Sequence, residues 1–291
     1  MLDVKVNSFL KVCEYLNITR AAEALNLTQP AVSKHLHALE EYYGVKLFSY
    51  KNKKLSLTVQ GQYLHKAMIA LQRDERHIRE SIQTVGQKEK LYIGATESIG
   101  GYYLPPLIIR FIKQHPELAV SVIIGDTKEL LQKLDRGEIA FLLCEGNFHK
   151  QDYEYRLLKK SVLTVLCGRD YNTDNIEDLG DLFAHRMLVR ESGSGTRDVF
   201  ERFLEASGYT LQNFRDICVV NNPEMILRLL EADLGVSVLY RDVGEKLLQT
   251  GKLKEITIAT KMPEHEFNAV WSKDSQNGAY YARLIEEFRE K

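Results

Sequence analysis

The stretch from Asn26 to Phe48, NLTQPAVSKHLHALEEYYGVKLF, restricts the chain more than any other. Val32, Leu36, Leu39 and Tyr43 recur at helical spacing and form one apolar stripe. The other face of the leading turns carries Gln29, Pro30, Ser33, Lys34 and His37, with no acid before Glu40. Amide, hydroxyl and cation without a carboxylate suit a recognition helix in the major groove of duplex DNA. Gln29 can pair with adenine, Lys34 can reach guanine acceptors, and Ser33 can serve bases or phosphate.

The flanking residues fit that reading. Val6, Phe9, Cys13 and Leu16 make an earlier helical stripe, and Thr19 is placed to cap a second helix, RAAEALN. Small Ala21 and Ala22 let the helices cross closely. The NLT turn puts Leu27 toward the core, and Thr28 caps the third helix. Two short helices joined this way form a helix-turn-helix. Leu55 and Leu57 then alternate with polar residues after a Lys51-Asn52-Lys53-Lys54 tip, which predicts a hairpin wing with a cationic end. Its lysines can neutralise phosphates without reading sequence. Charge is distributed to match: residues 1–90 hold 14 Lys and Arg against 9 Asp and Glu, leaving 25 against 31 for the remainder of a chain whose net charge is −1.

The segments ITRAAEALNLTQPAVSKHLHALEEYYGVKLF and LSLTVQG resemble the N-terminal domain of LysR-type transcriptional regulators. The shared elements are a hydroxyl residue before RAAE, Q-P-A-[VL]-S, L-E-x-x-x-G-V-x-L-F and L-T-x-x-G, in order and at the usual spacing over about 61 residues. One position departs: Tyr50 stands where the family usually has arginine, so that a common phosphate contact is either missing or moved to Lys51, Lys53 or Lys54. The expected DNA-facing set adds Thr19, Arg20, Thr28, Pro30 and His37 to Gln29, Ser33 and Lys34.

From Val59 to about Gln87 no proline intervenes, and Leu64, Met68, Leu71, Glu75, Ile78, Ile82 and Val85 alternate spacings of four and three. That is a heptad seam broken only at Glu75, and so narrow a stripe packs best on another helix like itself. In LysR-type regulators this segment is the linker helix that pairs two chains. The resemblance therefore implies a homodimer through the linker helix and a homotetramer beyond it.

After Leu91 strand-like and helix-like segments alternate, the pattern of an α/β sheet. The resemblance implies a two-lobed, periplasmic-binding-protein-like α/β effector domain. The expected division is a winged helix-turn-helix at 1–58, a linker helix at 59–90 and an effector domain at 91–291. Within the last, lobe one is 91–163 with 269–291, and lobe two is 164–268. Two stretches suit a ligand: GATESIGGYYLP, with Thr96, Ser98 and Ile99, and RESGSGTRDVF, where Gly193, Ser194, Gly195 and Thr196 lead into a helix and Arg197 adds a forked cation. Free N–H groups, hydroxyls and the helix dipole converge there, so an anion is the expected guest. Cys144 and Asn222 complete the expected effector set. GSGTR at this place resembles a subgroup that regulates sulfur or carbon assimilation.

Other classes find less support. GxxxxGK[ST] is absent, and Gly193-Ser194-Gly195 lacks the first glycine of GxSxG. His35 and His37 point to different helix faces, and Cys13, Cys144, Cys167 and Cys218 are scattered without CxxC, so no metal site, disulfide framework or cofactor is expected. There is no apolar run long enough for a membrane span and no export signal, which favours a cytoplasmic protein over a solute-binding protein of the same two-lobe type. The expectation is a non-enzymatic, sequence-specific DNA-binding regulator controlled by a small anionic metabolite.

Overall fold

The computed structural model describes residues 3–51, 54–83, 88–145 and 148–289. They divide into two compact units, 1–86 with 135–138, and 87–134 with 139–291. In the first, helices α1 (Val4–Tyr15), α2 (Ile18–Ala24) and α3 (Gln29–Tyr43) precede strands β1 (Phe48–Lys51) and β2 (Lys54–Leu57) and a long helix, α4 (Val59–Gln83). The strands form an antiparallel hairpin, the wing.

Each short helix starts on a side-chain oxygen that accepts a backbone N–H: Asp3 from Lys5, Asn17 from Arg20, and Thr28 from Ala31. Thr19, expected to cap α2, is inside it. Asn17 caps two residues earlier, which brings Ile18 into the helix and against the core. Asn26 takes the left-handed conformation, φ 54°, in the turn, and Leu27 packs against the core. Gly44, φ 66°, ends α3 with its N–H on the carbonyls of Glu40 and Glu41. Phe9, Val12, Ala21, Ala22, Val32 and Leu36 are buried at the centre, whereas Tyr43, last in the expected stripe, is 42% exposed.

The L-T-x-x-G segment locks the wing to α4. Thr58 Oγ1 donates to the Lys46 carbonyl at 2.7 Å and accepts from Gly61 N at 2.9 Å. A Cβ on Gly61 would lie 2.0 Å from the Leu47 carbonyl oxygen, so only glycine fits. Along α4 the heptad stripe divides. Leu64 and Met68 are buried in the helix-turn-helix core, while Leu71, Ile78 and Ile82 are 49%, 58% and 68% exposed. Val85 lies outside the described residues.

The second unit alternates strands and helices. In order they are β3 (Glu89–Thr96), α5 (Leu104–Gln114), β4 (Leu118–Gly125), α6 (Thr127–Asp135), β5 (Phe141–Cys144), β6 (Tyr153–Gly168), β7 (Arg186–Arg190), α7 (Gly195–Ala206), β8 (Asp216–Val220), α8 (Pro223–Glu231), β9 (Val236–Tyr240), α9 (Arg241–Gln249), β10 (Leu253–Ile256), β11 (Glu264–Ser272) and α10 (Gly278–Ile285). Pairing runs β4-β3-β5-β11-β6-β9-β7-β8, with β10 added to β6. Strands β4, β3 and β5 are parallel, as are β9, β7 and β8.

Strand β6 makes one chain of pairings into two lobes. It pairs with β11 through Val162, then with β9 from Leu163 and with β10 from Val165. Its residues follow suit. In its first half, flanked on one side only, buried and exposed positions mix; in its second half, with a strand on each side, Leu163 to Gly168 are all buried.

Gly61→Ala should destabilise the N-terminal unit by about 1–3 kcal/mol through overpacking. Helix propensity alone predicts the opposite, a gain of about 1 kcal/mol. Calorimetric unfolding of the two proteins reads the sign.

Candidate functional site

The outer face of α3 is built for contact. Gln29, Pro30, Lys34 and His37 are exposed and Ser33 is half-buried; Thr28, at the cap, and Thr19 and Arg20, in the first turn of α2, are exposed as well. Gln29 Nε2 donates to Ser33 Oγ at 2.9 Å, which orders the amide along the helix. Ser8 Oγ and His35 Nδ1, 2.8 Å apart, tie the inner face of α3 to α1. The first acid is drawn off the face: Glu40 accepts from Leu47 N at 2.9 Å and from Lys46 Nζ at 2.6 Å. Burial by itself would raise the Glu40 carboxyl, but these donors outweigh it and hold it below the usual carboxylate range. In the wing, β1 reaches Lys51 and Lys54 is exposed, while Lys53 lies outside the described residues.

In the second unit, five parallel strands end at one cavity of about 280 Å³. From one lobe, Thr96 and Glu97 follow the line of β3, Gly125 and Asp126 close β4, Thr127 opens α6, and Glu145 follows β5. From the other, Arg190 ends β7 and Glu191 follows it, Ser194 and Gly195 start α7, and Asn221 follows β8. This is the crevice beyond the carboxyl ends of strands, where open α/β sheets bind ligands.

Within it, Thr96 Oγ1 donates to the Glu145 carboxylate. Ser98 Oγ and Thr196 Oγ1 lie 3.0 Å apart and join the lobes. The Arg190 guanidinium, 4% exposed, makes two hydrogen bonds to Glu191, at 2.8 and 2.9 Å. Glu145 is 2% exposed. Burial raises its carboxyl above the usual range, against the hydroxyl donors and the charge of Arg190.

Residues 5–62 match the description "Bacterial regulatory helix-turn-helix protein, lysR family", and residues 85–291 match "LysR substrate binding domain". The chain is a LysR-type transcriptional regulator. It is similar to the HTH-type transcriptional regulator CysL of Bacillus subtilis, 28% identical over 247 residues that cover 83% of this chain and 81% of that one. It is also similar to the uncharacterized HTH-type transcriptional regulator YeiE of Escherichia coli K12, 30% identical over 258 residues covering 86% and 84%. A full-length OxyR from Pseudomonas aeruginosa shares the fold, with a TM-score of 0.61 at 22% identity over 99% of this chain and 100% of that one. As a family member the regulator is a non-enzymatic DNA-binding protein with a small-molecule effector domain. Among the described residues no helix is long and apolar enough to cross a membrane.

The structure brings Thr96, Ser194 and Gly195 of the expected effector set to the cavity wall. Ser98 and Thr196 instead satisfy each other. Ile99 and Cys144 are wholly buried in core clusters. Gly193, φ 94°, supplies the left-handed turn into α7. Arg197 holds Glu201 at 2.8 Å and the Arg190 carbonyl at 3.1 Å. Asn222 caps α8 by accepting from Met225 N, and its neighbour Asn221 lines the cavity.

Sequence reasoning missed Glu145, Asp126, Thr127 and Arg190. Their common signal is position, at or just past the end of a strand. They also correct the expectation of a site made for an anion alone. Glu97, Asp126, Glu129, Glu145 and Glu191 line the cavity against one guanidinium, which Glu191 already holds. Anion-binding geometry survives only at the Arg190 and Ser194–Gly195 corner.

The raised Glu145 carboxyl has a measurable sign. The folded chain keeps a proton that the unfolded chain loses, so stability falls as pH rises from the ordinary glutamate value, about 4.3, through the raised one. Glu145→Gln should remove this slope, gaining on wild type at pH 8 relative to pH 5. Parallel slopes in thermal melts across that range would show that Glu145 is ionised in the folded protein.

Proposed function

We propose that this LysR-type regulator acts in the cytoplasm as a homotetramer that reads duplex DNA and responds to a small effector bearing an acid group. Working boundaries are 1–58 for DNA binding, 59–90 for pairing and 91–291 for sensing. The reading is carried by one observation: the ordered, acid-free face of α3, with Gln29 and Ser33 hydrogen-bonded and Glu40 withdrawn. Gln29, Ser33 and Lys34 contact base edges; Thr19, Arg20, Thr28, Pro30 and His37 border the groove, and Lys51, Lys53 and Lys54 meet phosphate.

What one chain leaves uncovered supports this assembly. Leu71, Ile78 and Ile82 form an exposed apolar line on α4. A single recognition helix touches few base pairs, so pairing also supplies specificity. A second interface between effector domains is supported by exposed Ile109 and Ile112 on α5, Val122 and Ile124 on β4, and Val219 on β8.

In the cleft, the acid group of the effector meets the N-terminus of α7 at Ser194 and Gly195, together with Arg190. A ligand that touches both lobes favours one lobe arrangement, and that differential affinity is what can alter the spacing of the DNA-binding pairs.

Gln29→Ala should weaken binding to an operator selected from a random duplex pool by about 1–3 kcal/mol, and binding to unselected duplex by less. Equal losses in fluorescence anisotropy would mean that Gln29 reads no base. Ile78→Glu should yield smaller assemblies in sedimentation at micromolar protein, because it places a charge in the seam.

A further inference from the structure

We propose that the effector is a small zwitterion of amino-acid type, its acid group bound by one lobe and its ammonium group by the other. The inference rests on the cleft being the effector site, and deepens that reading by naming the ligand's second charge.

The two walls of the cavity differ in charge. The lobe of β3, β4 and β5 contributes Glu97, Asp126, Glu129 and Glu145 and no cation, whereas the facing lobe contributes the paired Arg190 and Glu191, Asn221 and the start of α7. The two helix starts differ in the same sense. At α6 the Asp126 carboxylate already accepts from Glu129 N at 2.8 Å, while Ser194, at the cap of α7, makes no side-chain capping bond and leaves the N–H groups open. The Arg190–Glu191 pair is neutral as a unit, and Glu129 lies 3.4 Å from Lys133. Glu97 has no ion-pair partner among the described residues. The first lobe therefore presents negative charge that the fold leaves uncompensated.

A separate observation marks the same wall. Thr127 lines the cavity and is 7% exposed, and its buried hydroxyl has no hydrogen-bond partner among the described residues. Buried hydroxyls are rarely left so, and this one can accept a hydrogen bond from an ammonium group. A simple oxyanion would meet its donors at the α7 corner and repulsion from Glu97 and Asp126 across the cavity. An ammonium group two or three bonds from the acid reverses that repulsion. Burial holds the Glu145 carboxyl toward its neutral form, and a cation beside it would draw it back to the carboxylate.

Binding to the full-length regulator tests this, by thermal shift and then calorimetry. The probes are the common L-amino acids, the matched hydroxy acids (glycolate, L-lactate and L-malate), ethylamine and ethanolamine, and sulfate and phosphate. At least one amino acid should bind, with its hydroxy-acid counterpart about tenfold weaker or more, the loss of one charge-assisted contact. Glu97→Gln and Ser194→Ala should each weaken that amino acid by a similar factor. If hydroxy acids, sulfate or phosphate bind as well as any amino acid, and Ser194→Ala still weakens them, the zwitterion is wrong and the cleft remains the effector site. If an amino acid binds and neither variant changes its affinity, the cleft reading itself fails. Binding of the amines alone overturns the proposal, as does silence from every probe at about 10 mM.

Discussion

The sensing unit depends on one constraint of chain direction. Strands β3, β4 and β5 of one lobe and β7 and β8 of the other all deliver their C-terminal ends to the same cavity. Each ending strand leaves a residue or two before the next turn, and those residues become the wall. Helices α6 and α7 begin there as well, so two positive helix ends arrive with the side chains. The fold supplies the crevice; local sequence decides which helix end is already occupied, by Asp126, and which stays open, at Ser194. Strand β6, shared by both sheets, keeps the two sets of ends in register, because its pairing passes from β11 to β9 without a break.

Features set by near neighbours were legible in the sequence. The Thr28 cap, the Asn26–Leu27 turn, the wing strands and the Gly193-to-Gly195 helix entry each depend on residues within one turn of one another. Thr19 shows the limit: Asn17 and Thr19 are both good caps, and the choice followed from whether Ile18 reaches the core. The α4 stripe shows another. Its period was plain, but periodicity cannot say that Leu64 and Met68 face their own domain while Ile78 faces outward. The cavity was the least legible part. Glu145, Asp126 and Arg190 come from three separated segments, and nothing beside an acid in a sequence marks it as buried.

The thiols have a quieter role. Cys13 and Cys167 are pushed up to about 12 and about 11 by burial, so little thiolate is present near neutral pH. Cys144 packs in a core cluster next to the cavity residue Glu145. These side chains fill space. The cavity itself is lined by hydroxyls, carboxylates and one guanidinium, in keeping with the acid surplus of residues beyond 90.

The hydroxyl pair of Ser98 and Thr196 is a neutral contact between the lobes, which the Lys159–Asp242 ion pair also joins. Neither oxygen carries charge, so dissolved salt does not screen it. Contacts to nucleic-acid phosphate, by contrast, weaken steeply as ions are added. One molecule thus carries two contacts with different sensitivities to its surroundings. Added salt would therefore loosen a hold on phosphate while leaving the Ser98–Thr196 contact of the sensor in place.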